Sequence, residues 1–253
     1  MNKGLRDFLV SNAKSKISDG KNLVHYTGEK EIDNFINDIK NYPHAFLTAC
    51  LMDKRIQAER AWEIPYKIKE DLGDDFSMKK LLSISIEEYK ALFETNELHT
   101  NYTEMSKVFY EAIQKIHKDY NDDASNIWNN KPDSATLIRR IREFYGAGPK
   151  IASMTANILV RQFGIELSDN ICIDISVDTH VKRVFTRLGL VPEVAENEDI
   201  INVARTIYPE YPGILDYSIW NIGRNYCYAR KKPNCSECDL NQYCAYNKKE
   251  HNI

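Results

Sequence analysis

The sequence has 253 residues, 43% of them hydrophobic, with only 10 glycines and 8 prolines. That is enough apolar material to build one large domain or two ordinary ones, and it excludes collagen-like, linker-rich and low-complexity classes. The net charge of -3 gives no hint of a polyanionic partner, but it averages over two basic segments, +3 across residues 137–190 and +4 across residues 223–249, which leave -10 for the remainder. Local basic faces steer a polyanion more than the global sum does, so the charge distribution permits a nucleic-acid partner. The most apolar stretch, Ile151 to Val160, is ten residues long and broken by Ser153, Thr155 and Asn157, about half of what a membrane helix needs, so no membrane partner is expected. The early apolar run Phe8 to Val10 is too short for the core of a signal peptide, which makes the expected location cytoplasmic.

Helical periodicity dominates in chain order. Ile32, Phe35, Ile36 and Ile39 follow the i, i+3, i+4, i+7 pattern, and Met105, Val108, Phe109, Ala112, Ile113 and Ile116 repeat it over three turns. Lys131 to Ser134 ends in a candidate N-cap for a helix from Leu137 to Tyr145, with Leu137, Ile138, Ile141 and Phe144 on one face. Gly146-Ala147-Gly148 must turn, and Pro149 suits the first position of a second helix reaching about Phe163. Ile171, Ile173, Ile175 and Val177 alternate with period two; with no partner strand in view, this is read as an extended loop. Stripes at Val181, Val184, Phe185, Leu188 and at Ile200, Val203, Ala204, Ile207 complete the pattern, with a break from Tyr208 to Gly213. The expected fold class is all-α.

The hairpin between the two middle helices carries the first chemical signal. Gly146 and Gly148 around one small residue allow positive φ, close approach of another molecule and free N–H groups at a helix start, which are the features of an anion site. A tight turn in a helical bundle accounts for the same residues. Lys150 follows in the first helical turn, at the positive end of the helix dipole, an unfavourable place for an ammonium and a suitable one for a nucleophilic amine. It also fits a solvated surface charge. Asp178, in Asp178-Thr179-His180-Val181, fits both a helix cap and a catalytic carboxylate, with Asp174 the nearest competing acid and His180 a supporting residue.

The second signal is the crowding of four of the six cysteines into 18 residues, as Cys227-x7-Cys235-x2-Cys238-x5-Cys244. Four thiolates at this range suit zinc or an iron–sulfur cluster. Zinc ribbons pair two Cys-x-x-Cys knuckles, whereas only one is present. Between the first two cysteines, Arg230, Lys231 and Lys232 form either a solvated charge run or phosphate contacts held in fixed geometry. Cys50 and Cys172 stand alone.

The segments FYGAGPKIASMTANILV and SVDTHVKRVFTRLGL resemble the helix-hairpin-helix DNA glycosylases of the endonuclease III group. Gly146 and Gly148 match the hairpin glycines of that family, Lys150 its lyase lysine, and Asp178 the aspartate of its Val-Asp-x-His motif. Phe144-Tyr145 replaces the usual Leu-Pro, and the span from Lys150 to Asp178 is longer, with the insertion around Gly164 to Asp174. The cysteine loop is similar to the C-terminal 4Fe-4S loop of the group, Cys-x6-Cys-x2-Cys-x5-Cys, with one extra residue in the first gap. A looser match over Phe46 to Asp53 puts Cys50 where endonuclease III carries a glutamine that fills the gap left by an extruded base.

The resemblance implies a two-lobed fold. A six-helix lobe over residues 31–164 would carry the helix-hairpin-helix motif and Lys150, and residues 1–30 with 165–253 would form a second lobe with Asp178 and the cluster loop at 227–244. It further implies base excision on double-stranded DNA containing a damaged base, with oxidised bases favoured, or an abasic site. In that chemistry Asp178 helps deprotonate Lys150, the amine attacks C1′ to expel the flipped base, and a Schiff base permits strand cleavage. Cys227, Cys235, Cys238 and Cys244 would hold a 4Fe-4S cluster, Gly146, Gly148, Arg230, Lys231 and Lys232 would contact DNA, and the protein would act as a nucleoid-associated monomer. Two alternatives use the same elements: a glycosylase without lyase activity, and a DNA-binding module without chemistry.

Overall fold

A computed structural model describes residues 3–17 and 25–250. Every regular element among them is helical, as the periodicity predicts. The chain divides into two compact units, one of residues 1–19, 133–138 and 156–253, the other of residues 20–132 and 139–155. Among the described residues, no helix is long and apolar enough to cross a membrane.

Helix α1 (Lys3–Lys14) belongs to the first unit and buries Leu5, Leu9 and Ala13. The second unit begins with α2 (Lys30–Asn37), which stops at Asp38 and leaves Ile39 outside the helix, so the apolar stripe read from the sequence is one turn shorter than its pattern. Next comes α3 (Pro43–Met52), whose ten residues are all buried. A helix apolar on every face belongs at the centre, and α3 packs against α2, against α4 (Ala58–Asp71) and against the long α7. Two short helices, α5 (Met78–Leu82) and α6 (Ile86–Thr95), lead to α7 (Tyr102–Tyr120), which buries the full predicted stripe from Met105 to Ile116. Trp62 and Trp128 are buried in this core, 4% and 2% exposed, and are packing residues.

Helices α8 (Ser134–Arg142) and α9 (Pro149–Arg161) flank the hairpin. Helix α8 ends earlier than its stripe suggests, and Phe144 is buried from within the turn rather than from the helix. The cap differs as well. Asp133 supplies it, its carboxylate accepting the Thr136 N–H at 2.7 Å, and that bond holds the carboxyl below its usual range. Ser134 instead donates to Asp169 and accepts the Cys172 N–H at 3.0 Å.

The first unit continues with α10 (Thr179–Leu188), α11 (Asn197–Ile207), α12 (Asp216–Asn225) and α13 (Ala245–Glu250). The extended segment before α10 is an irregular connector, as expected. Ile173 and Ile175 are buried, while Ile171 is 57% exposed. No ladder forms because its backbone is taken up one group at a time. The Gly213 N–H donates to the Ile173 carbonyl at 2.8 Å, the Asn157 amide donates to the Asp174 carbonyl at 3.0 Å, and the Ser176 N–H donates to the buried Asp216 carboxylate at 2.7 Å. Gly213 has to be glycine, since a Cβ there would overlap the Asn157 amide and lie 2.8 Å from the Ile173 carbonyl.

Candidate functional site

In the second unit the hairpin is built as the two glycines require, but by only one of them. Gly146 has φ +83°, and a Cβ on it would lie 2.6 Å from Lys54 Nζ and 2.9 Å from Val108 Cγ2. Gly148 has ordinary φ, and its Cβ position faces open space. Its carbonyl accepts the Ala152 N–H at 3.0 Å, so it caps α9, and the first-turn N–H groups after it have no partner within the helix. Tyr145, where the family motif has proline, is 42% exposed, with Lys107 Nζ 4.7 Å from its ring centre.

Lys150 leaves the first turn of α9 and donates to Asp53 Oδ2 at 2.5 Å, with Met154 Sδ 3.8 Å from the same nitrogen. Asp53 is the residue directly after α3, and its side chain is 14% exposed against 37% for Lys150. The neighbouring Lys54 is half-buried, and this burial lowers its ammonium's proton affinity. Its carbonyl is fixed by His99. Because His99 Nδ1 accepts the Asn101 N–H at 3.0 Å, Nε2 must carry the hydrogen, which it donates to the Lys54 carbonyl at 2.9 Å. Burial lowers the His99 pKa, in keeping with a neutral ring. Cys50 is fully buried beside Thr155, and burial pushes its thiol far up, so it is a packing residue that does not reach solvent to fill a gap in DNA. Asp53 and Lys54 escaped the sequence reading. An acid and a base ending a mostly apolar run were the only signal.

In the first unit, Asp178 caps α10, its Oδ1 accepting the His180 and Val181 N–H groups at 2.8 Å each. Its competitor Asp174 is occupied in a two-pronged pair with Arg205, with Nε and Nη2 each 2.8 Å from a carboxylate oxygen. His180 is a support residue. Its Nδ1 lies 2.9 Å from Arg183 Nη2, and its ring stands edge-on to Trp220.

Cys227, Cys235, Cys238 and Cys244 border one apolar pocket in the first unit, together with Val184, Leu188 and Leu240. Among the described residues no three His, Cys, Asp or Glu side chains converge tightly enough for a single ion. The basic side of this loop is anchored from α10. Arg187 Nη1 donates to the Tyr228 carbonyl at 2.8 Å and lies 3.2 Å from Cys227 Sγ, and Arg183 Nε donates to the Cys227 carbonyl at 2.6 Å. Arg230, Lys231 and Lys232 are exposed, with Lys231 Nζ 3.9 Å from the Tyr228 ring centre.

No family model matches the chain. Endonuclease III of Rickettsia felis is 30% identical over 174 residues, 62% of this chain and 72% of that protein. Endonuclease III of Sulfolobus acidocaldarius is 28% identical over 109 residues, 43% of this chain and 46% of that protein, and the Bacillus subtilis enzyme is 31% identical over 101 residues. Apart from the Rickettsia felis match, the chain spans less than half the length of these relatives. Among solved structures, a trapped endonuclease III–DNA covalent intermediate shares 19% identity at a TM-score of 0.59, covering 88% of this chain and 98% of that one. A thermostable thymine-DNA glycosylase shares 15% at 0.64, covering 97% and 98%. By sequence the chain belongs to the endonuclease III family, and its all-helical fold is that of the helix-hairpin-helix DNA glycosylases.

Proposed function

We propose that the protein is a base-excision DNA glycosylase with lyase activity at abasic sites, that Lys150 is its nucleophile, and that Asp178 assists it. The observation that carries this reading is the placement of Lys150, one residue past the proline that starts α9 and two past the hairpin glycine that caps it. An amine there is held beside a backbone anion site, where a phosphate-linked sugar would be delivered. The reaction class follows. Lys150 Nζ bonds to C1′ of an extruded nucleotide, and the C1′–base bond breaks with its electron pair going to the base. Of the three ammonium protons, one ends on the departing base, one on O4′ as the ring opens, and one stays on the iminium nitrogen. Loss of a C2′ proton then expels the 3′ phosphate.

Backbone N–H groups of the hairpin around Gly146 and Gly148, with Arg230, Lys231 and Lys232, would neutralise phosphates of double-stranded DNA. Cys227, Cys235, Cys238 and Cys244 would hold a 4Fe-4S cluster, which supplies a cross-link that fixes the basic loop. Damaged bases, oxidised ones first, are the substrate class carried over from the family resemblance, and the reading includes a monomer acting in the nucleoid.

A second reading has its own observation. A lysine already paired with Asp53 at 2.5 Å also suits a purely structural role, as in a glycosylase without lyase activity. Borohydride trapping on duplexes with an abasic site, thymine glycol, 8-oxoguanine or mismatched uracil separates the two. A covalent adduct that disappears in Lys150→Ala is expected, and base release with no adduct would instead support the second reading.

A further inference from the structure

We infer that Asp53 is a second carboxylate of the reaction, the group that holds Lys150 Nζ in the DNA-free protein and takes its first proton when the amine becomes a nucleophile. The inference rests on the proposed role of Lys150 and deepens it. Three features of the second unit support it.

First, Asp53 touches Lys150 directly, Oδ2 to Nζ at 2.5 Å, with Met154 Sδ 3.8 Å from the same nitrogen. Second, both charges sit at the wrong end of their own helix. An acid just past the C-terminus of α3 faces the negative pole of that helix, and a base in the first turn of α9 faces the positive pole. Each weakens its own helix terminus, and the contact between them offsets that cost by setting the ammonium near the C-terminal end of α3 and the carboxylate near the start of α9. The contact keeps an amine and a carboxylate within proton-transfer distance of each other. Third, the carboxylate is held still. The helix before it is buried on every face, the Asp53 N–H donates to the Cys50 carbonyl at 3.3 Å, the Lys54 N–H to the Met52 carbonyl at 2.7 Å, and His99 fixes the Lys54 carbonyl. The ionisable groups near the pair include Lys54, His99 with Arg60 beside it, the more distant Glu104, and the fully buried Cys50 thiol.

The step balances. One proton moves from the Lys150 ammonium to the Asp53 carboxylate, the amine lone pair forms the bond to C1′, and the glycosidic electron pair leaves on the base. The carboxyl then returns its proton through solvent to the departing base, and is ionised again for the next turnover.

The test compares wild type, Lys150→Ala, Asp53→Asn and Asp53→Glu in single-turnover borohydride trapping on an abasic duplex from pH 6 to 9, with DNA affinity and melting temperature measured on each. Asp53→Asn is expected to slow Lys150-dependent trapping by about 10²-fold at neutral pH, in the range of a lost proton acceptor. The deficit should shrink as the pH rises and solvent removes the proton instead, with DNA affinity unchanged. Asp53→Glu, which keeps the carboxylate, should recover part of the rate with the wild-type pH dependence, and it carries the test if Asp53→Asn does not fold. Trapping by Asp53→Asn at or above the wild-type rate overturns the proposal, as does a deficit that is constant with pH and matched by lost affinity or lower melting temperature. If wild type forms no adduct that needs Lys150, the lysine reading fails and Asp53 fails with it. A normal Lys150 adduct in wild type with no Asp53 effect sinks Asp53 alone.

Discussion

The two hairpin glycines look equivalent in sequence but should respond to alanine to very different degrees. At Gly146 the backbone stands at φ +83°, where an L-residue costs about 1–2 kcal/mol. The new methyl would also fall 2.9 Å from Val108 Cγ2, on a fully buried side chain that cannot retreat, and 2.6 Å from Lys54 Nζ, which can. Overpacking of that kind adds about 1–3 kcal/mol, so Gly146→Ala should lose roughly 2–5 kcal/mol. For a chain of this size each kcal/mol moves the melting temperature by about 2–4 °C, which puts the expected drop on the order of 10 °C. At Gly148 the φ is ordinary and nothing lies within 4 Å of the new Cβ. Gly148→Ala should therefore meet no clash and lose only about 0.5–1 kcal/mol, because alanine is a poorer N-cap for α9 than glycine. In the proposed function a phosphate approaches through that open space, so Gly148→Ala should weaken DNA binding while the fold survives. Thermal melts paired with DNA titration at fixed salt check both halves. Equal destabilisation by the two substitutions would refute the assignment of strain to Gly146, and unchanged DNA affinity in Gly148→Ala would remove the hairpin as a phosphate site.

Three further outcomes follow from other side chains of the protein. Burial depresses the pKa of both His99 and His44 below the ordinary 6.5. The native state then binds fewer protons than the unfolded one below pH 6.5, and stability should be lost as pH falls from about 6.5 through the folded values. Melting temperatures at pH 7.5 and 5 should show that fall, and His99→Gln should reduce it; a flat profile would exclude a neutral His99. Asp178→Ala should cost about 1 kcal/mol through the lost α10 cap, whereas Asp178→Asn should keep most of that stability and lose base excision if the carboxylate acts in chemistry; full activity in Asp178→Asn would leave Asp178 a cap only. Cys238→Ser, or removal of iron by a chelator, should bleach a brown preparation and weaken DNA binding through the freed Arg230–Lys232 loop, an outcome read from visible absorption, iron content and DNA titration.

What the sequence made legible was whatever repeats locally. Helix faces such as Met105 to Ile116 are periodic, the hairpin and cysteine loop are contiguous, and a cap such as Asp178 acts two and three residues away from itself. What stayed hidden depends on distance along the chain. Asp53 and Lys150 are 97 positions apart, and no pattern in either neighbourhood announces the other. The steric difference between the two glycines likewise comes from Val108 and Lys54, which come from α7 and from the corner after α3. The hidden contacts still left one local trace, the conflict between charge and helix end at both Asp53 and Lys150. A charge placed against its own helix dipole costs stability unless something elsewhere answers it. Each such residue therefore points to an unseen partner, as Asp53 and Lys150 point to one another.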